Sequence, residues 1–121
     1  MKILFSEELF RLYLLFTVGV IEFLATTTIK IEVIESFWDK ANHFSAFFVL
    51  YILLSLAFRE LSIIAKIVIL LLYGLQIEVV QSFIDGRFFS LLDVVADSVG
   101  IGLGVLFYWA VTPYIKRKEL Q

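Results

Sequence analysis

The sequence contains no cysteine, one proline and one histidine in 121 residues. Without cysteine there is no disulfide framework, no thiolate nucleophile and no cysteine-ligated metal site. No basic tract is present of the kind that follows a phosphate backbone, so nucleic acid is not expected as a partner. Also missing are an HExxH motif, a phosphate-binding glycine loop and a serine nucleophile elbow. Ser45, Ser82, Ser90 and Ser98 have no motif around them that would mark a nucleophile. The N-terminal stretch MKILFSEELFR is acidic ahead of its apolar run and has no small-residue cleavage motif, so no removable signal peptide is expected.

What the chain does have is apolar length. It is 61% hydrophobic with 13 phenylalanines, and its mean hydropathy is +0.97. Four apolar runs each approach the ~20 residues that cross a bilayer. The expected fold is therefore a single all-α membrane domain over 1–121, a four-transmembrane-helix bundle with helices at 8–28, 39–58, 62–84 and 89–112. Glu22 lies inside the first helix. Residues 29–38 form an amphipathic connection whose alternation in IKIEVIES suits a short strand or an interfacial segment. The tetrad Arg59-Glu60-Leu61-Ser62 reads as a tight turn that makes helices two and three antiparallel neighbours. Asp85-Gly86 reads as the next turn, and Pro113 with the basic tail as the end of helix four. Gly100 and Gly104 make a GxxxG pair, a close-packing face for another helix.

Lysine and arginine set the expected orientation. In a four-span chain, Lys2, Arg11, Arg59, Lys66, Lys116, Arg117 and Lys118 share one side, and only Lys30, Lys40 and Arg87 the other. That asymmetry argues for both termini in the cytoplasm. The acids run the opposite way: Glu7, Glu8, Glu60 and Glu119 are inside, and the other eight are in the outer half. The outer field favours cations or basic ligands. Phe37 and Trp38 outside, with Trp109 and Tyr114 inside, suit the two interfaces.

This topology gathers three separated motifs at one membrane face. Asp39 and His43, four apart at the start of helix two, share a helical face beside Lys40. Glu78 and Gln81 lie near the outer end of helix three, and Asp85 follows on nearly the same face. Arg87 occupies the outer turn. Asp93 and Asp97 are four apart in the first turns of helix four, one turn before Gly100. Glu22, roughly 9 Å below its helix exit at 1.5 Å per residue, is placed to join them. A charge deep in a membrane helix costs on the order of 2.5–3.5 kcal/mol, so these groups must face one another or a watery cleft. Each also has a plainer role: helix capping for Asp39 and Asp93, snorkelling for Lys40 and Arg87, an interhelical polar clamp for Glu78 and Gln81. Convergence favours a shared site.

The motifs D-K-x-x-H-F at Asp39, Lys40, His43 and Phe44, E-x-x-Q at Glu78 and Gln81, Arg87, and D-x-x-x-[N/D]-x-x-G at Asp93, Asp97 and Gly100 resemble the VanZ-like family in order and spacing. The resemblance covers about residues 36–104. It departs from the family pattern in two places. Asp85-Gly86 stands where proline often precedes the arginine, and Asp97 where asparagine is frequent. The resemblance implies a small bacterial cell-envelope membrane protein, since the founding member is associated with teicoplanin resistance.

Three functions follow as expectations. In the first, an outward-facing pocket of Asp39, Lys40, His43, Glu78, Gln81, Arg87, Asp93 and Asp97 binds an envelope component, with the lipid bilayer and a cell-envelope precursor or glycopeptide as partners. Arg87 and Lys40 would take phosphate or carboxylate. In the second, an intramembrane enzyme acts on a lipid-linked envelope substrate, with His43, Glu78 and Asp93 as catalytic candidates and Asp39 orienting His43. No cofactor is required by either. A variant of the second reading is a divalent metal held by His43 with Glu78, Asp93 or Asp97. The third, a small cation or proton transporter, needs a polar path through the inner half, where Thr17, Gly19, Ser55 and Tyr73 are the few candidates.

Overall fold

The computed structural model describes residues 6–26, 32–83 and 91–120, with side chains given for 6–26, 41–83 and 91–114. Four helices follow one another: α1 (Glu7–Thr26), α2 (Glu32–Ala57), α3 (Ile63–Ser82) and α4 (Leu91–Leu120). No strand occurs among the described residues. Asp85 and Arg87, and the side chains of Asp39 and Lys40, lie outside the described residues, as do those of Phe37 and Trp38.

Two boundaries differ from the sequence expectation. Helix two starts at Glu32, so most of the expected connection is its first turns rather than a strand. A lone strand would leave its backbone donors and acceptors unpaired, whereas a helix satisfies them internally. Helix four does not stop at Pro113 but continues to Leu120. Proline removes one backbone donor. Next to it the Thr112 hydroxyl donates to the Tyr108 carbonyl, while the carbonyl that the proline leaves without its helical donor is that of Trp109, one residue on.

The contacts fix an up-down-up-down order. Arg11, early in α1, donates from Nε to the Ala57 carbonyl at the end of α2, at 3.0 Å. Its guanidinium also lies over the Phe58 ring. A cation thus sits on the carbonyl end of α2, where the helix dipole favours it. The turn after α2 is as tight as expected: Leu61 N–H returns to the Phe58 carbonyl at 3.1 Å. Ser62 then caps α3 by accepting from Ala65 N–H. Helices α2 and α4 run parallel and pack most extensively.

Gly100 and Gly104 form that packing face. A Cβ at Gly100 would collide with the Phe44 carbonyl oxygen, and one at Gly104 would stand 2.8 Å from Tyr51 Cβ. Gly102, on the other side of α4, has open space.

Helix α2 is the centre. Phe47, Leu50, Tyr51, Leu54 and Ala57 are buried along it, against Leu70 and Ile77 of α3 and Ile101 of α4. Outside, the bundle is apolar: Leu15, Phe16, Phe23, Ile64, Leu72 and Leu106 all stand exposed. So wide an exposed apolar surface suits lipid, not water. Among the described residues, three helices are long and apolar enough to cross a membrane: α1, α3 and residues Leu91–Tyr114 of α4. The apolar part of α2 is Ala41–Ala57, at the short end of the range that spans. Helix length and an apolar exterior give the described residues the build of a helical membrane protein.

Candidate functional site

The buried stripes of three helices end in polar groups at the same end of the bundle. On α2 the stripe His43, Phe47, Leu50, Leu54 starts with histidine. On α3 the stripe Lys66, Leu70, Gly74, Ile77, Glu78, Gln81 ends with glutamate and glutamine. On α4, Asp93 and Asp97 precede Gly100, Ile101 and Gly104 on the buried face. Helical spacing forces this: whatever shares a face with the core at i, i+3 and i+4 must enter the interior with it.

His43 sits at the junction, its side chain 10% exposed. Its Nδ1 lies 2.8 Å from Asp97 Oδ1. An ionised carboxylate only accepts, so Nδ1 carries the proton in this bond. The other ring nitrogen, Nε2, is 3.8 Å from Glu78 Oε1 and 3.7 Å from Asp93 Oδ2. Both distances exceed a hydrogen bond yet lie within ion-pair range. Glu78, Asp93 and Asp97 are all buried.

Asp97 is seated by a residue that sequence reasoning missed. A Cβ on Gly74 would come 2.7 Å from Asp97 Oδ2 and 3.1 Å from the Phe47 ring. Glycine makes room for the carboxylate of α4 to lie against the backbone of α3. The available signal was spacing, since Gly74 is one helical turn before Glu78 on the same face.

The four groups His43, Glu78, Asp93 and Asp97 are thus brought together. Gln81 is buried at the same level, but its amide nitrogen donates to the Ala25 carbonyl of α1 at 2.9 Å; this is an interhelical clamp. Glu22 is engaged elsewhere than expected: its Oε1 accepts from Gln76 Nε2 at 2.8 Å. Together with the Tyr73 hydroxyl donating to the Val18 carbonyl, these bonds tie α1 to α3. Gln76 had no motif around it to mark it as a partner.

A second polar group lies toward the opposite end. Lys66 is buried rather than at the interface, its Nζ donating to Ser55 Oγ at 2.8 Å. It stands over the rings of Tyr51 and Tyr108, at 4.8 and 5.0 Å from their centroids.

Chemically, the cluster offers one imidazole nitrogen and two carboxylate oxygens, from His43, Glu78 and Asp93, within 4.8 Å of one another. Such a set can hold a cation, an amine or a hydroxyl, or exchange a proton. No curated protein and no solved structure matches the chain. A family model described as VanZ/LLP1 matches residues 4–112, which take in α1, α2, α3 and all of α4 up to Thr112. That span holds every member of the cluster, and the chain belongs to the VanZ/LLP1 family.

Proposed function

We propose that this protein crosses the bacterial cytoplasmic membrane four times, with both termini inside, and that its outward-facing polar pocket binds an envelope component. Through that binding it lowers sensitivity to teicoplanin-type glycopeptides. The observation that carries the reading is the convergence of His43, Glu78, Asp93 and Asp97 from three helices into one buried group. Burying so many ionisable groups among lipid-facing helices is costly, and intramembrane ionisable groups are functional more often than structural. Lys40 and Arg87 are assigned to the same pocket by sequence position, as anion-binding groups at its rim. Asp39 belongs with them, one turn before His43.

The test is sensitivity of a glycopeptide-susceptible Gram-positive host expressing the chain. Wild type raises the teicoplanin concentration needed to stop growth, and Asp93→Asn and His43→Gln, present in membranes at wild-type level, abolish the rise. Full protection by both variants refutes the pocket reading.

The His43–Asp97 bond favours a second reading, an intramembrane enzyme acting on a lipid-linked envelope substrate. Asp97 rather than Asp39 would then orient the base, and Glu78 or Asp93 would be its partner. Turnover of such a substrate by purified protein, lost in His43→Gln, separates catalysis from binding.

A further inference from the structure

We infer that His43 Nε2, Glu78 and Asp93 form a binding site for one divalent transition-metal ion, with Asp97 as the positioning residue for His43. The inference rests on reading this cluster as a binding pocket and is independent of any effect on antibiotics.

The geometry makes the argument. His43 Nδ1–H donates to Asp97 Oδ1 at 2.8 Å, so the lone pair of a neutral His43 lies on Nε2. That lone pair faces two carboxylates, at 3.8 Å from Glu78 Oε1 and 3.7 Å from Asp93 Oδ2. One imidazole nitrogen and two buried carboxylates converging on one point is the donor arrangement of a cation site. The two distances from His43 suit an ion there. Two ligands about 2.0–2.2 Å from one metal stand roughly 3.4 Å apart at a tetrahedral angle and about 4.2 Å apart when opposite.

Histidine that binds a metal through one nitrogen usually donates from the other to a carboxylate or carbonyl, which fixes its tautomer and ring orientation. His43 has that arrangement, with Asp97 as the carboxylate. Gly74 supports it in turn, because any side chain there would push Asp97 away from its seat. The three ligand-bearing residues come from three helices whose packing fixes their separation.

The donor set selects the ion. One imidazole with two carboxylates suits Zn2+ or Mn2+ better than Mg2+ or Ca2+, which prefer oxygen alone. Three protein ligands leave a coordination position open. In this pocket that position takes water or an anionic oxygen, of phosphate or carboxylate type. A protonated His43 paired with both acids is the competing arrangement, and it needs no metal.

The experiment uses the full chain, purified in detergent, stripped with chelator and reloaded. Zn2+ is measured by elemental analysis after exchange into metal-free buffer, and Co2+ by its visible absorption. Wild type retains one ion per chain, and its thermal midpoint rises with Zn2+ and not with equal Mg2+. His43→Gln and Asp93→Asn lose the ion, Asp97→Asn binds about 10–100-fold more weakly, and the exposed-turn variant Glu60→Gln is unchanged. The midpoint shift uses wild type alone, so a variant that fails to fold leaves the test intact. Folded wild type that retains no Zn2+ or Co2+ and shows no midpoint shift overturns the site. Equal retention by wild type, His43→Gln and Asp93→Asn overturns it as well. Metal-free protein that still protects against teicoplanin overturns the metal and spares the pocket; metal-loaded protein without protection supports the metal and refutes the resistance reading.

Discussion

At the scale of single residues, the basic groups His43 and Lys66 do different work inside the bundle. His43 meets Asp97, Glu78 and Asp93, whereas Lys66 meets a serine hydroxyl and two tyrosine faces. The second arrangement is asymmetric toward mutation. Ser55→Ala leaves the ammonium buried without its hydrogen bond, and a bond to a charged group is worth about 1.5–3 kcal/mol. Lys66→Met removes the charge and keeps the stem that fills the space between Tyr51 and Tyr108. Ser55→Ala should therefore lower thermal stability in detergent, Lys66→Met should leave it near wild type, and the double variant should recover most of the loss. Equal losses for the two single variants would mean that the lysine acts through its charge and not through its packing.

The same residues show how far the sequence could be read. Glu78, Asp93, Asp97 and His43 were legible because helical spacing puts each on the face that the core uses, and lipid forbids the opposite face. Lys66 was not, because a long flexible side chain one turn into a helix can reach either the interface or the interior. Packing of Tyr51 and Tyr108 decides between them. Gln76 and Gln81 point to α1 for a similar reason: the direction of a lone amide is set by which neighbour presents a carbonyl or carboxylate.

At the scale of elements, the parallel pair α2 and α4 holds the site in register, and two glycines hold the pair. Adding a methyl group at Gly100 would drive it into the Phe44 carbonyl, a backbone atom that cannot rotate aside. Overpacking of this kind costs about 1–3 kcal/mol. Because Phe44 adjoins His43, Gly100→Ala should also shift the imidazole relative to Asp97. Gly102→Ala, two residues on, meets open space and should gain roughly 0.5–1 kcal/mol from better helix propensity. Thermal melts of both variants in the same detergent check the contrast. The GxxxG pair announced this face in the sequence. Helix ends were less legible: polar alternation before α2 is compatible with helix or strand, and the proline in α4 removes one backbone donor without ending the helix.

At the scale of the whole molecule, the order of contacts places the α2–α3 turn at one end and the cluster at the other. Arg11, Ala57 and Ser62 mark the first end, and His43, Glu78 and Asp93 the second. In the proposed orientation the first end faces the cytoplasm. The absence of native cysteine makes single-cysteine labelling direct. In intact cells treated with a membrane-impermeant maleimide, Ser90→Cys should label, since it precedes α4 at the site end. Glu60→Cys, in the exposed turn, should label only after permeabilisation. Asp97→Cys should stay protected in both cases, because Asp97 is only 1% exposed beneath His43 and against Gly74. Labelling at Glu60→Cys in intact cells, with Ser90→Cys protected, would invert the topology and turn the pocket toward the cytoplasm. An envelope component outside the membrane could not then be its ligand. Labelling of Asp97→Cys in intact cells would mean that the helices part far enough to admit water beneath His43, and the outward-facing pocket would extend past the site as a deeper cleft.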